Sequence, residues 1–576
     1  MKILLLHPED DFQRSWVRER WDLVVDLGKA PKSSYDDWSR QLGCPVFSIF
    51  DLAIEVEDLL AWRDLLRLGM GRVVDRFGID WWDVIGILLQ PEMQDLRLVQ
   101  RLANKIGTCE GLTVTRPSPL AEALRLQLQC PLRVLSTGLP GRVVRSASRF
   151  GRAAANLNFR QLRQVVYDKY DARYLLRRNF AAAEARSSAP VVLIPSAYSN
   201  VTRTAFRYAD VLPDRQFLLV LARETGETSP IPRNVRTEAL AAFAQRGCDQ
   251  DELRQLESSW NELQSSLRSH PEFSLSAQLG VLSKAKRWLH WGMAVRDAWN
   301  AVFERRGVVA CLSADDSNPY TRIPLLLARQ RRLPAVACHH GALDGIMAFK
   351  NPAFSTYLVK GEMEKDYLEG VCRVDAGSLR IGAPFTPMQD RQLWNDGAPW
   401  IVFFTEPYET DLWRPEAIYK EIVPRLCAVA LQAGKKVVLK LHPFESARQR
   451  KRMLNRVLSK DEQQLVSIVA APLSNEILQN TWCAVTVEST TAFECATVGI
   501  PAFLCGWLRH AYVGYAPQYA RFGVAQMLEG PDDLLKIPSR LMAAIPPASL
   551  RDRLVHAIAP EQLSEILCGS QPGTLR

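Results

Sequence analysis

Two short apolar runs in the later part of the chain, each followed at once by polar residues, constrain the fold more than any other feature. The first, residues 437–441, leads into His442 and Pro443. The second, residues 484–487, leads into a hydroxyl-rich segment, residues 489–491. Short runs rich in β-branched residues predict buried strands, and a helical segment between two such strands is typical of a parallel βαβ unit. The chain is therefore predicted to be an α/β protein built on open parallel sheets.

The polar residues after these two strands form a candidate phosphate site. Ligands of an open parallel sheet lie outside the carboxyl ends of its strands. Ser489, Thr490 and Thr491 stand where a helix is predicted to begin, so backbone N–H groups and hydroxyls would point toward one anion. His442 ends what we take to be the neighbouring strand. Serine and threonine at a helix start are most often plain N-caps, and a histidine before proline is often only a turn residue, but the two features together favour a phosphate site.

Two charged residues extend this candidate site. Lys440 precedes His442 by two residues, so the two share a strand face and the lysine can add positive charge. A protonated His442 would donate a hydrogen bond to a departing phosphate, or act as its acid. Glu494 lies in the first turns of the predicted helix, where it can accept ribose hydroxyls or simply complement the helix dipole.

The segments 440–443, 488–494 and 499–501 together resemble a family. They are similar to the C-terminal half of GT-B glycosyltransferases that build bacterial surface polymers. Within that group they resemble CDP-glycerol glycerophosphotransferases, capsule Kdo transferases and bacterial sialyl- and polysialyltransferases. The resemblance covers about residues 335–525. It implies two Rossmann-like domains facing a cleft and a donor linked to CMP or CDP, with UDP as the second choice. No metal or other cofactor is expected, because Asp315-Asp316 is not the spaced carboxylate pair that holds a divalent ion with a nucleotide in the other glycosyltransferase class.

The resemblance also implies a division into domains. Residues 1–385 are predicted as an N-terminal acceptor domain, residues 386–546 as a nucleotide-donor domain, and residues 547–576 as a closing helix and tail. Helical insertions in the N-terminal domain are predicted near residues 51–107, 141–180 and 232–305. The acceptor is expected to be a surface glycan or a lipid-linked precursor.

Two positions compete as the base that activates the acceptor hydroxyl. His340 matches the catalytic-type histidine of the glycerophosphotransferases, although His339 replaces the tryptophan that usually precedes it. Asp316 ends an adjacent predicted strand, and polysialyltransferase-like enzymes use a carboxylate as the base. His340 is preferred. The simpler interpretations are a turn for the histidine pair and a helix cap for Asp316.

Other polar residues at predicted strand ends are expected to contact the acceptor or line the cleft. They are Ser199, Asn200, Arg203, His339, Gly341 and Glu406. For Ser199 and Asn200 the simpler interpretation is a helix cap.

The composition and the net charge limit the classes of partner that the chain is expected to bind. The net charge of +9 at pH 7 indicates an anionic partner, such as a nucleotide or an anionic lipid. The segment 141–180 is basic and amphipathic, and it would either lie on an anionic membrane or form a solvated helical face. No stacking motif or zinc-finger spacing indicates nucleic acid. The twelve cysteines are scattered without a C-x-x-C pair, which indicates reduced thiols. A cytoplasmic protein, soluble or peripheral to the inner membrane face, is expected.

Two other functions fit the same fold. One is an enzyme like UDP-N-acetylglucosamine 2-epimerase, which needs no acceptor. The other is a non-catalytic GT-B module that serves as a scaffold or binds a glycan. The chain contains no P-loop and no G-x-G-x-x-G motif, which argues against kinases and dehydrogenases.

Overall fold

The computed structural model describes residues 1–568 apart from several internal stretches. These stretches are 11–12, 14–15, 17–18, 53–62, 136–185, 198, 223–229, 245–248, 340–350, 385–393 and 509–515. The basic segment 141–180 falls outside the described residues, so its predicted membrane contact stays a prediction.

Over the described ranges the strands form three parallel sheets. The first has the order β3-β2-β1-β4-β5. Its strands are β1 Lys2–Leu6, β2 Leu23–Asp26, β3 Val46–Ser48, β4 Gly111–Val114 and β5 Leu132–Val134.

The middle part of the chain forms the second sheet, with the order β12-β11-β10-β9-β6-β7-β8. Its strands are β6 Ser187–Ser196, β7 Phe217–Leu221, β8 Val235–Ala239, β9 Arg306–Ser313, β10 Ala335–Cys338, β11 Thr356–Val359 and β12 Leu379–Ile381.

The third sheet has the order β15-β14-β13-β16-β17-β18. Its strands are β13 Trp400–Phe404, β14 Lys436–Lys440, β15 Val466–Val469, β16 Thr481–Thr486, β17 Ala502–Cys505 and β18 Gln526–Leu528. In each sheet the first three strands along the chain lie side by side in order. The fourth strand along the chain then pairs with the free side of the first. This is the doubly wound order of Rossmann-like folds, and it confirms the predicted α/β class.

Helices connect the strands. Those that follow strands of the first sheet or precede β6 are Lys32–Leu42, Trp81–Ile106 and Pro119–Leu128. Those of the middle part are Ser199–Val211, Gln250–Leu267, Pro271–Gln278, Val281–Ala285, Arg287–Arg305, Pro319–Gln330 and Glu362–Asp366. Those of the last part are Pro415–Ala433, Ala447–Val457, Lys460–Leu465, Asn475–Gln479, Thr491–Thr497, Ala516–Phe522, Ile537–Ala544, Ala548–Leu554 and Pro560–Cys568. None of the helices in the described ranges is both long enough and apolar enough to cross a membrane.

The chain divides into two compact units. The first comprises Met1–Glu55, Gln94–Arg163 and Met388–Arg551, and it holds the five-stranded and six-stranded sheets. The second comprises Val56–Met93, Gln164–Pro387 and Asp552–Arg576, and it holds the seven-stranded sheet. This grouping differs from the single domain predicted for residues 1–385, because the start of that range carries a sheet of its own.

A buried ion pair joins the two sheets of the first unit. Arg414 donates from Nε and Nη2 to the two carboxylate oxygens of Asp26, at 2.9 and 2.8 Å. Nη2 also donates to the carbonyl of His7 at 3.0 Å. Asp26 is fully buried at the end of β2. The carboxyl edge of the first sheet is therefore occupied by a side chain from the loop after β13.

Helices occur in two of the three ranges predicted as helical insertions, near residues 51–107 and 232–305. The third range, residues 141–180, lies outside the described residues. The helix Trp81–Ile106 accounts for much of the first one, and it ends at Gly107, whose φ of +71° closes the last turn. The insertion predicted for 232–305 is wrong at its start, because Val235–Ala239 forms the edge strand β8. Its polar residues obscure the strand period, and charged side chains are common on exposed sheet edges.

The last described helix, Pro560–Cys568, packs within the second unit. The described part of the chain ends in two helices, Ala548–Leu554 and Pro560–Cys568, where one closing helix was predicted. Leu563 and Leu567 lie in one buried cluster with Val192 and Ile194 of β6. The last helix therefore covers a face of the seven-stranded sheet.

Candidate functional site

The carboxyl ends of three strands meet at one edge of the six-stranded sheet. Phe404, the last residue of β13, is in register with Lys440 of β14 and Thr486 of β16. The strand order reverses between β13 and β16. Ligands of doubly wound sheets bind at this switch point, outside the carboxyl ends. The turns that follow β13, β14 and β16 are therefore the candidate site.

The predicted neighbourhood of the two phosphate-binding segments needs one correction. The strands β14 and β16 are not adjacent, because β13 lies between them. His442 and the segment 489–491 thus stand two strand spacings apart, about 10 Å. Apolar periodicity identifies each strand but not its partners in the sheet, which is why sequence alone placed them side by side.

The turn at His442 is fixed by its own hydrogen bonds. The backbone N–H of His442 donates to Glu445 Oε2 at 2.8 Å, and the N–H of Phe444 donates to His442 Nδ1 at 3.2 Å. The N–H of Glu445 donates to the carbonyl of His442 at 2.9 Å. Since Nδ1 accepts, the neutral imidazole carries its proton on Nε2. The ring is therefore set to donate from Nε2.

A buried carboxylate that the sequence analysis missed organises this turn. The side chain of Glu445 has no exposed surface, and besides His442 it binds the hydroxyl of Thr405 and Nε of Arg450, the latter at 2.8 Å. Arg450 makes two further bonds of 2.6 Å to Glu409. Glu445 therefore ties the turn after β14 to the loop after β13. The sequence feature that could have identified Glu445 is its position three residues after His442.

Replacing Glu445 with glutamine is expected to lower the free energy of unfolding by about 2–3 kcal/mol. The amide keeps the size but cannot serve His442 and Arg450 as a carboxylate does, so a buried cation loses a charged acceptor. Urea denaturation measures the loss. The matched control is Glu416→Gln, which removes an exposed carboxylate bound to Arg456 and should cost less than about 1 kcal/mol. Equal losses would contradict the assignment.

The turn after β16 is organised by Glu406, one of the predicted cleft residues. Glu406 Oε1 accepts the N–H of Glu488 at 2.7 Å and the hydroxyl of Thr486 at 3.2 Å. The same hydroxyl oxygen accepts the N–H of Ser489 at 3.1 Å. Glu406 is half-buried at the switch point. Its carboxylate therefore shapes the turn that presents the hydroxyl-rich segment.

The three hydroxyl residues differ in their contacts. Ser489 Oγ accepts the Thr491 hydroxyl at 3.0 Å and the Thr491 N–H at 3.4 Å. Thr490, the N-cap of the seven-residue helix Thr491–Thr497, makes no side-chain cap bond. All three are half-buried. The N-cap interpretation thus does not account for the Thr490 hydroxyl.

Lys440 is the last residue of β14, and Glu494 lies in the helix Thr491–Thr497 that follows β16. Lys440 is 7% exposed, and its Nζ donates to the carbonyl of Leu441 at 2.8 Å. Burial lowers the pKa of Lys440, while attraction to Glu445 and Glu494 acts in the opposite direction. Glu494 itself is exposed. Lys440 is therefore a buried amine bonded to the backbone of its own turn, and Glu494 presents a carboxylate to solvent.

Asp316, one of the two base candidates, lies in the second unit. Asp316 is 5% exposed, and its Oδ2 lies 3.9 Å from Nη1 of the fully buried Arg322. The neighbouring Asp315 is half-buried and accepts the N–H of Ser317 at 2.8 Å. Asn318, rather than Asp316, caps the following helix through the N–H of Tyr320.

The remaining predicted residues are placed as follows. His339 is half-buried, and its carbonyl accepts Lys360 Nζ at 2.9 Å. His340 and Gly341 lie outside the described residues. Ser199 begins the helix that follows β6, Asn200 is its second residue, and Arg203 on that helix is exposed. Within the described part of the chain, no cluster of three histidine, cysteine, aspartate or glutamate side chains could hold a metal ion.

Comparison with known proteins gives a weak likeness only. No protein-family model matches the sequence, and no curated protein matches it. Three solved structures illustrate the likeness.

The UDP-GlcNAc 2-epimerase from Methanocaldococcus jannaschii has a TM-score of 0.40 at 9% identity, over 66% of this chain and 99% of that one. Anabaena HepE in complex with UDP-glucose has a TM-score of 0.41 at 11% identity, over 66% and 99%. A variant of the wall teichoic acid polymerase TagF has a TM-score of 0.35 at 10% identity, over 73% and 96%.

Proposed function

We propose that this protein is a glycosyltransferase that uses a nucleotide-activated donor. It would move a sugar, or a glycerol-phosphate-like unit, from a CMP- or CDP-linked donor to a surface glycan or lipid-linked acceptor. The observation that carries the proposal is the meeting of three polar turns at one sheet edge. These are the turn at His442, the turn at Glu406 and the segment 489–491, which surround the switch point of a doubly wound sheet.

The leaving group would bind between the turns after β14 and β16. The two turns are about 10 Å apart at the backbone, so an imidazole from one side and hydroxyls from the other leave room for a phosphate or diphosphate. Nε2–H of His442 and the hydroxyls of Ser489 and Thr490 would stabilise the negative charge that develops as the donor bond breaks. Lys440 adds positive charge beneath the site, and Glu494 is available to the ribose hydroxyls.

The acceptor hydroxyl needs a base. His340 is the proposed base, and Asp316 is the second candidate. The buried carboxylate of Asp316 beside Arg322 favours a structural role for it, while the half-buried Asp315 is the more accessible of the two aspartates.

A thermal-shift screen against CMP, CDP, UDP, GDP and ADP tests nucleotide binding. A ligand that binds only the folded state stabilises it by about 2.7 kcal/mol at a concentration of 100 Kd. Because the proposed donor is linked to CMP or CDP, the melting temperature should rise most with a cytidine nucleotide. Cytidine without phosphate is the control and should give little shift. A rise with UDP alone would reject the cytidine donor, and no rise with any nucleotide would reject the proposal.

Incubation with UDP-N-acetylglucosamine and no acceptor separates the transferase from the epimerase alternative. A transferase leaves the configuration at C2 of the sugar unchanged, whereas formation of the 2-epimer would favour the epimerase. If His340→Ala and His442→Ala both leave cellular function intact, a non-catalytic scaffold is favoured instead.

A further inference from the structure

A strongly basic helix follows the His442 turn directly. Residues 446–460 contain six basic residues and no acidic one. The helix Ala447–Val457 occupies most of this segment. Two of the six, Arg450 and Arg456, pair with acids from elsewhere in the chain. Neighbouring like charges repel one another, and an anionic partner relieves this repulsion.

The cations of this helix lie along one exposed side. Arg448, Arg452 and Arg456 recur every four residues, so they form one row on the helix surface. Lys451 stands next to this row, and all four are exposed. Of the four, Arg456 pairs with Glu416.

The opposite side of the helix holds it firmly in place. Arg450 is 2% exposed and binds Glu445 and Glu409, and Leu454 is buried in the core of the six-stranded sheet. The basic row is therefore presented outward by a rigidly mounted helix.

An exposed aromatic side chain lies at the start of this helix. Phe444 is 64% exposed, and its ring lies 4.9 Å from the imidazole of His442 in an edge-on arrangement. An exposed aromatic beside a cationic row suits the boundary between lipid headgroups and acyl chains.

We infer that Phe444 and the helix Ala447–Val457 form a docking surface for an anionic membrane. Each basic residue near such a surface contributes attraction, and an inserted aromatic provides the second anchor that stable association requires. The contact between Phe444 and His442 would bring this membrane face next to the donor edge. A lipid-linked acceptor would then be delivered to the leaving group, a consequence that rests on the proposed function.

Co-sedimentation with phosphatidylcholine vesicles, with and without phosphatidylserine, tests the inference. The full chain should bind only the anionic vesicles, and less so as salt rises. The variant Arg448→Gln/Lys451→Gln/Arg452→Gln should lose on the order of 100-fold in partitioning, because each charge is worth about 1 kcal/mol there. The variant Phe444→Ser should lose about tenfold.

A matched control removes three exposed cations from other parts of the same unit. Arg20→Gln/Lys32→Gln/Lys436→Gln changes the net charge equally and should bind as the wild type does. Equal losses in the two triple variants would overturn the inference, as would failure of the wild type to prefer anionic vesicles.

A soluble polyanion distinguishes the membrane from a charged polymer. If dextran sulfate displaced the vesicles fully while Phe444→Ser bound as tightly as the wild type, a polyanionic chain would replace the membrane as the occupant. Vesicle binding requires no nucleotide. A protein that binds vesicles but no nucleotide would therefore retain this inference and reject the proposed function.

Discussion

Replacing His442 with alanine is expected to slow transfer from a cytidine-linked donor by about 10²–10³-fold, the usual cost of removing one hydrogen-bond donor to developing negative charge. The imidazole is held by the N–H of Phe444 at Nδ1, so Nε2 is the atom that would serve the departing phosphate. Removing it leaves the hydroxyls of Ser489 and Thr490 as the remaining donors. Steady-state kinetics should show the loss mainly in kcat, because the interaction strengthens as charge develops.

The chain contains its own control for this substitution. His7 also precedes a proline after a strand, its Nδ1 accepts the N–H of Glu9 at 3.2 Å, and its carbonyl accepts the N–H of Asp10 at 3.0 Å. Burial lowers the pKa of His7. The variant His7→Ala removes a similar ring from the first sheet and should leave kcat unchanged. Equal losses in the two variants would show that the ring at His442 has only a structural role.

Replacing Arg296 with methionine is expected to lower the free energy of unfolding by about 3–5 kcal/mol. Its guanidinium is fully buried and bonds to Asp75 at 2.7 Å, to Glu252 at 2.8 and 2.9 Å, and to Asp297 at 2.7 Å. Methionine fills the space but leaves three carboxylates without their central cation. Urea denaturation followed by circular dichroism measures the loss.

The control for Arg296 is an arginine that lies on the surface of a helix packed beside it. Arg254 lies on the helix Gln250–Leu267, 75% exposed, and pairs with Asp251 at 2.5 Å. Arg254→Met should cost no more than about 1 kcal/mol, as exposed pairs do. If both variants lost the same stability, the buried cluster would not be what joins this helix, the helix Arg287–Arg305 and the turn before Trp81.

Strands of the third sheet could be predicted because their sequences are locally distinctive. Residues 436–440, 481–486 and 502–505 are short apolar runs bounded by glycine, proline or polar residues, and each is a buried strand. Their order in the sheet could not be predicted. Backbone hydrogen bonding between strands carries no sequence signal, so the position of β13 between β14 and β16 appears only in the structure.

The division into domains also could not be predicted from the sequence, because the first five strands form a sheet of their own. The pairing of Arg414 with Asp26 joins positions 388 residues apart, and neither residue stands in a distinctive motif. The alternation of strands and helices continues from the start of the chain into its middle. A single N-terminal domain was therefore the simplest expectation, and only tertiary contacts reveal which sheet each strand joins.

The sequence predicted the side chains that would contact a ligand. It did not predict the buried residues that hold those side chains in place. Imidazole and hydroxyl groups at strand ends indicate ligand binding, so His442 and residues 489–491 could be selected. Glu445 and Arg450 resemble ordinary surface charges in sequence, although both are buried in the structure. His7-Pro8 repeats the local pattern of His442-Pro443, and only the surrounding residues separate the two.

A crystal structure of the protein with bound CDP would show whether the turns after β14 and β16 hold the leaving phosphates. We expect the diphosphate at the carboxyl edge of the six-stranded sheet, within hydrogen-bond distance of His442 Nε2 and of at least one hydroxyl among Ser489, Thr490 and Thr491. Nucleotide bound at the edge of another sheet, or bound at this edge with the imidazole turned away from the phosphates, would contradict this expectation.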